Sequence, residues 1–414
     1  QPFDKIDQVI VPILRDVRAG GDSAVIKYTR QFDGVDISSL VVKPDEIQNA
    51  ESEISSGLKE SIQKAIKNIR RFHQDQLGTT RVVETVPGVR CWRKDVPIEK
   101  VGLYIPGGSA PLFSSVLMLG IPAAVAGCRE VILCTPPNSN GQIHAAIRYA
   151  AAQVGISRIF KAGGAQAIAA MAYGTESIPR VYKIFGPGNQ YVTAAKIRVS
   201  MEGTAIDMPA GPSEVLVLAD HTANPAFIAA DLLSQAEHGP DSQVLMITTE
   251  KRLLKEVHSE MQTQLQTLPR RDIAETSLAH SKLILVKSLS EGIDMVNEYA
   301  PEHLILSVDQ PESVADKVIN AGSVFLGNYT PESAGDYASG TNHVLATNGY
   351  ARVFSGVSVE SFVKKITFQQ ITPSGLREIG PTIETMAAAE ELNAHEKAVT
   401  LRLAHIAGEN DGNR

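Results

Sequence analysis

From Val101 onward, short β-branched runs alternate with alanine-rich stretches of helical length, and this rhythm constrains the fold more than any other feature of the chain. Residues 101–105, 130–134, Arg158–Lys161 and 181–185 read as strands, and the segments between them read as helices. Strand–helix–strand repeats give parallel strands, because a parallel connection must cross over and a helix is the usual crossover. After Pro209 the alternation restarts. Strands are expected at Glu214–Ala219, 243–249, 283–287, 303–308 and Ser323–Leu326, with helices at 225–237 and 250–268. The chain therefore reads as α/β, with two parallel-sheet layers of related rhythm. Two Gly/Pro-rich seams bound the first layer, Tyr104-Ile105-Pro106-Gly107-Gly108 and Met208-Pro209-Ala210-Gly211-Pro212.

Outside that region the N-terminal hundred residues show a helical pattern near 58–72 and a β-like run near 81–92. A mainly helical tail is expected to start within 360–368, with 381–403 as one long amphipathic helix and residues 408–414 disordered. At 414 residues the chain is too long for one core and should form two or more domains. A net charge of -7 argues against a partner rich in phosphate backbone, so no nucleic acid is expected. No apolar run approaches membrane-spanning length. Cys91, Cys128 and Cys134 lack CxxC spacing and read as reduced thiols, with packing roles for Cys128 and Cys134. The cytoplasm is the expected compartment, or the plastid stroma if a transit peptide preceded Gln1.

Three groups of residues carry candidate chemistry. Gln235 and His238 lie three apart at the end of an alanine-rich helix, where Gly239-Pro240 stops it, so both side chains project at one terminus. They suit a water, metal or ligand, although a Gln and a His at a helix end are more often plain surface groups. Glu302 and His303 open a strand after Pro301; an imidazole beside a carboxylate suits proton transfer, although a lone Glu-His dipeptide is more often coincidence. Asp336 and His343 lie in a Gly/Ser/Thr-rich stretch with little reason to be ordered unless something binds it; Gly335-Asp336-Tyr337 reads equally as a turn. Three glycine-bearing turns, YIPGG, AGGAQAIAA and FGPGNQYVTAAK, follow strands and permit close approach of a phosphate. None spells GxGxxG with a downstream acid, and the plainer reading is a strand-to-helix turn. His395, with Glu390 and Glu391 nearby, reads by itself as a solvated helix face.

Taken together, GLYIPGGSAP, GGAQAIAA, FGPGNQYVTAAK, DMPAGPSEVLV, DLLSQAEHGPDSQV, APEHLI, SVFLG, PESAGDYASGTNHVL and AEELNAHEKAVTLRL resemble the histidinol dehydrogenase family in order and spacing, from about Gly102 to Leu403. The resemblance implies oxidation of L-histidinol through the aldehyde to L-histidine, the last two steps of histidine biosynthesis, with two NAD reduced in succession. It implies one zinc ion per subunit, held at the positions of Gln235, His238, Asp336 and His395. Glu302 and His303 match the family's acid/base pair. Ser213, Gln235, His238, His303, Asp336, His343, Glu390 and His395 match substrate-contacting positions, and Tyr104, Gln166 and Asn189 match NAD contacts. It further implies a homodimer in which the C-terminal arm delivers its His to the partner's zinc, so that 381–403 becomes an interface element.

The expected fold is two Rossmann-like parallel-sheet domains, one inserted in the other, plus a helical C-terminal dimerisation arm. Residues 1–103 and 212–357 would form the substrate and zinc domain, 104–211 the NAD-associated domain, and 358–414 the arm. Two rivals from other classes are a zinc hydrolase using the same ligands, with Glu302 activating water, and a non-catalytic binding module. The second should have lost the ligand set or the Glu-His pair, and this chain keeps both.

Overall fold

The structure is a computed structural model that describes residues 3–107, 110–209 and 211–411. Gln1, which begins one expected domain, lies outside the described residues, as do Gly108 and Ala210 of the two seams and 412–414 of the expected disordered end. Thirteen strands are described: β1 Val82–Val86, β2 Val89–Pro97, β3 Lys100–Tyr104, β4 Glu130–Thr135, β5 Arg158–Lys161, β6 Lys183–Phe185, β7 Ala205–Ile206, β8 Glu214–Ala219, β9 Gln243–Thr248, β10 Lys282–Leu285, β11 His303–Ser307, β12 Ser323–Leu326 and β13 Val363–Ile371. They form two five-stranded sheets, β5-β4-β3-β6-β7 and β10-β9-β8-β11-β12, and a three-stranded sheet β1-β2-β13. Every pairing in the two larger sheets is parallel, as the alternation requires. Both run in the same topological order: the first strand of each lies in the middle, the next two extend to one side and the last two to the other. Each sheet thus has a switch point, β3 against β6 and β8 against β11, where consecutive connections diverge to opposite faces.

The central strands are covered on both faces, and β8 is buried along its whole length. That is why its sequence EVLVLA is almost continuously apolar instead of alternating. Residues Phe3–Asp33 form a long N-terminal helix, kinked at Gly21, that shares a core with the helices Gly164–Tyr173 and Gln190–Met201 of the first sheet. Gly21 has φ 54°, and a Cβ there would strike the Glu176 carboxylate, which accepts the Asp22 N–H. Among the described residues no helix is long and apolar enough to cross a membrane. All three cysteines are free; Cys134 is buried as expected and Cys128 is half-buried.

The chain divides into two compact units, Gln1–Gln76 with Ile98–Phe362, and Leu77–Pro97 with Val363–Arg414. Both parallel sheets belong to the first. The expected boundary between Leu103 and Tyr104 falls inside β3, the middle strand of the first sheet, and the N-terminal helix packs on that same layer. A Gly-rich seam marks where a strand ends, and here the strand it ends belongs to the layer that follows.

The second unit departs most from the sequence reading. Residues 363–371, expected to open a helical tail, form β13, which pairs antiparallel with β2 from Val363↔Pro97 to Ile371↔Val89. Alternation of Val363, Lys365, Thr367 and Gln369 with Ile366 and Phe368 gave no clean period, but pairing and the stack of Trp92 on Phe368 (ring centroids 5.5 Å apart) fix the strand. The expected single helix over 381–403 is two, Pro373–Ala389 and Asn393–Asp411, separated by a turn in which Glu391 takes φ 59°. The second helix continues to Asp411, so residues 408–411 are helical where disorder was expected.

Candidate active site

The amino ends of β8 and β11 meet at the second sheet's switch point, and their register sets the chemistry. His303 pairs with Val215, which brings Glu302 beside Glu214. The Glu214 backbone N–H donates to Glu302 Oε2 at 2.9 Å, and His303 Nδ1 lies 3.0 Å from the Glu214 carbonyl. A carbonyl only accepts, so Nδ1 carries the proton and Nε2 presents its lone pair. Nε2 is buried without a hydrogen-bond partner among the described residues, 3.9 Å from Asp336 Oδ1. Burial pushes the His303 pKa down to about 3, with the Glu214 carbonyl bond opposing and His343 and His238 adding to the fall. The ring is therefore neutral at physiological pH.

The short helix Glu332–Tyr337 places Glu332 and Asp336 one turn apart, both facing this imidazole. Donor atoms of His303, Glu332 and Asp336 lie within 4.8 Å of one another. Gln235, fully buried in the last turn of helix Pro225–Ala236, donates its amide N–H to the Glu332 carboxylate, which turns its oxygen the other way. His238 follows in the turn after that helix, with its backbone N–H on the Gln235 carbonyl at 3.2 Å. His343 holds Asp336 in place: its Nδ1 donates to the Asp336 carbonyl at 3.0 Å, and its Nε2 accepts from Ser115 Oγ at 3.1 Å.

Burial dominates the electrostatics. It raises Glu302 and Glu332 well above the usual carboxylate range, with neighbouring carboxyls adding to the rise. It lifts Asp336 to about 6, against the pull of His238, and lifts Glu214 and Asp231 to about 7. It lowers His343 to about 4 and lowers His238, which Asp336 pulls partly back. His238 is the most open of these residues. Lys196, which lines the same cleft, is a buried ion-pair partner of Asp207 and is not available to the carboxyls. A cluster of buried acids with imidazole and amide donors and so little cationic compensation suits a divalent cation.

Ser213, Gln235, His238, Glu302, His303, Asp336 and His343 all line one cleft of about 910 Å³. Tyr104, Gln166 and Asn189 line a second cavity of about 790 Å³ at the carboxyl ends of the first sheet. The two cavities share Pro106, Gly107 and Asn189. Asn189 caps helix Gln190–Met201, its Oδ1 accepting from the Tyr191 and Val192 N–H groups. The Tyr104 hydroxyl accepts from the Gly164 N–H at 3.1 Å. Both amide atoms of Gln166 are buried with no partner among the described residues, an arrangement that a polar ligand would complete. Glu390 and His395 belong to the other compact unit, where both are exposed.

Asp336 sits on a helix and not in a loose loop, because Pro331 begins a helical turn. The acids Glu214 and Glu332 were not singled out from the sequence. Glu332 was findable, since it stands four residues before Asp336 on one helix face; Glu214 was not, because its place beside Glu302 comes from strand register.

A family model described as histidinol dehydrogenase matches residues 1–403. A histidinol dehydrogenase of Bacteroides thetaiotaomicron is 63% identical over 391 residues, covering 94% of this chain and 91% of that protein. One from Bacteroides fragilis is 62% identical over 394 residues, covering 95% and 92%. The crystal structure of histidinol dehydrogenase from Elizabethkingia anophelis matches with a TM-score of 0.95 at 54% identity, covering 97% of this chain and 93% of that one. These relatives are bacterial, which gives the plastid alternative no support.

Proposed function

Since the chain belongs to the histidinol dehydrogenase family, we propose that it oxidises L-histidinol through the aldehyde to L-histidine, with NAD as hydride acceptor. One observation carries the mechanism: a neutral His303 with an unpartnered Nε2 lines a cleft that shares Pro106, Gly107 and Asn189 with a dinucleotide-sized cavity.

In the first oxidation His303 Nε2 accepts the carbinol O–H proton as the hydride departs. The imidazolium that forms is stabilised by carboxyl groups of Glu302 and Glu332, each 3.6 Å from Nδ1, and by Asp336. The second oxidation requires water to add to the aldehyde carbon. Glu302 removes the water's proton, since a carboxyl whose pKa burial has raised is the stronger base once ionised. Ser213 and His343 border the substrate, and Tyr104, Gln166 and Asn189 bind the cofactor.

Zinc fits the donor set, because the buried acids lack counter-charge and Gln235 has its oxygen turned away from Glu332. Gln235, His238 and Asp336 would hold it, with His395 supplied by the C-terminal arm of a second copy, and Glu390 of that arm meeting the substrate. Bound there, the cation supplies positive charge that ionises the acids and fixes a substrate nitrogen. Glu332 orients Gln235 and lends it negative charge, as outer-sphere carboxylates do for metal ligands. Because two protomers each complete the other's site, the working form is a homodimer.

The test is stoichiometry. With limiting histidinol, absorbance at 340 nm should rise by two NADH per substrate and the product should be L-histidine. No NADH would favour the hydrolase, and one NADH with accumulating aldehyde would refute the second step.

A further inference from the structure

The glycine-rich turns of the first sheet lack the downstream acid of the usual dinucleotide fingerprint. In that fingerprint the acid stands just past the second strand and takes the adenosine ribose hydroxyls. Here the second strand, β4, runs into Pro136-Pro137-Asn138, which bear no carboxylate. The fold brings one from far upstream. Asp33 ends the N-terminal helix and lines the cavity of about 790 Å³. Its Oδ2 is buried and finds no hydrogen-bond partner among the described residues.

We propose that Asp33 is the carboxylate that recognises the adenosine ribose, accepting from its 2′-hydroxyl and excluding a 2′-phosphate; this rests on the reading that the cavity holds NAD. Position supports the adenosine end. The residues the two cavities share, Pro106, Gly107 and Asn189, must flank the nicotinamide if hydride is to reach the cleft, and Asp33 is not among them. Val9, Ile13, Phe32 and Ile147 line the same cavity as Asp33 and lend it apolar surface suited to a purine. Charge supports the discrimination. No lysine or arginine occurs among the described residues lining the cavity, and the helix presents Asp33 at its negative end. Burial alone pushes Asp33 up to about 6.

The test measures binding directly, by calorimetry with NAD, NADP and 2′-deoxy-NAD on the full-length chain and on Asp33→Asn and Asp33→Ser. The wild type should bind NAD roughly 10- to 100-fold more tightly than 2′-deoxy-NAD, the size of a hydrogen bond to a charged group. It should bind NADP more weakly still. Both variants should lose much of that factor for NAD, show a weaker preference for the 2′-hydroxyl than wild type, and close at least tenfold of the gap to NADP. Equal wild-type affinity for NAD and 2′-deoxy-NAD overturns the assignment without recourse to any variant. Variants that keep the wild-type preference, with unchanged histidinol binding, overturn it too. Wild type that binds no NAD at all would instead sink the cofactor reading on which it rests.

Discussion

Replacing His303 with asparagine removes the Nε2 lone pair while leaving an amide that can still donate to the Glu214 carbonyl, now 3.0 Å from Nδ1. Keeping that donor matters, since a stranded buried carbonyl costs about 1–3 kcal/mol and would confuse a chemical effect with an unfolding one. A positioned general base contributes about 10²- to 10⁴-fold, or roughly 3–5 kcal/mol of barrier. Here the base starts neutral, with its pKa held near 3, so nothing is lost to the wrong protonation state at pH 7. That low pKa also makes it a weak base, which places the expected loss nearer the lower limit, about 10²- to 10³-fold. The assay is a single-turnover burst of NADH from histidinol, with metal content and NAD affinity measured on the same preparation. A burst within threefold of wild type, with metal and NAD bound normally, would refute the proton transfer. The same residue makes a stability prediction. Between pH 6.5 and about 3 the unfolded chain protonates His303 and the folded chain does not, so stability falls as pH falls through that window. Urea midpoints at pH 7 and pH 4.5 should therefore differ less for His303→Asn than for wild type.

Glu302→Gln should slow oxidation of added histidinaldehyde at least tenfold more than the first oxidation of histidinol; equal losses would count against its role toward water. Mixing His395→Asn with His303→Asn subunits should restore up to about a quarter of wild-type turnover, since random hybrids contain one intact shared site each in half the dimers. No recovery after subunit exchange would place the arm's histidine in its own protomer's site. NAD affinity should weaken as pH drops from 7.5 to 5, because Asp33 titrates at about 6 and its ionised form is the better acceptor. In Asp33→Asn that slope should flatten, since Asp336, which also titrates in this range, lines the neighbouring cleft, and a slope unchanged from wild type would refute the role of Asp33.

The layers of the fold were legible because periodicity reports burial. β8 is apolar throughout since it is covered on both faces, and the strands Arg158–Lys161, Glu214–Ala219 and Ser323–Leu326 fall where expected. What escaped depends on partners distant in sequence. β13 is a strand because β2 lies beside it, and its own residues alternate too weakly to say so. The break at Glu391 needs a left-handed residue, which no glycine or proline announces. In the site, Gln235, His238, Glu302 and His303 stood out by type and spacing. Glu214 and Asp33 did not, because register alone carries one to Glu302 and helix packing alone carries the other to the cavity at the carboxyl ends of the first sheet.

Metal content measured together with turnover tests the centre of this account most directly, because the buried acids around His303 need a cation to be ionised together. Purified protein should carry close to one zinc per chain. Dialysis against a chelator should abolish histidinol oxidation, and added zinc should restore it in proportion to the ion rebound, while Gln235→Ala should bind it at least tenfold more weakly. Full turnover from protein shown to be metal-free would contradict the account.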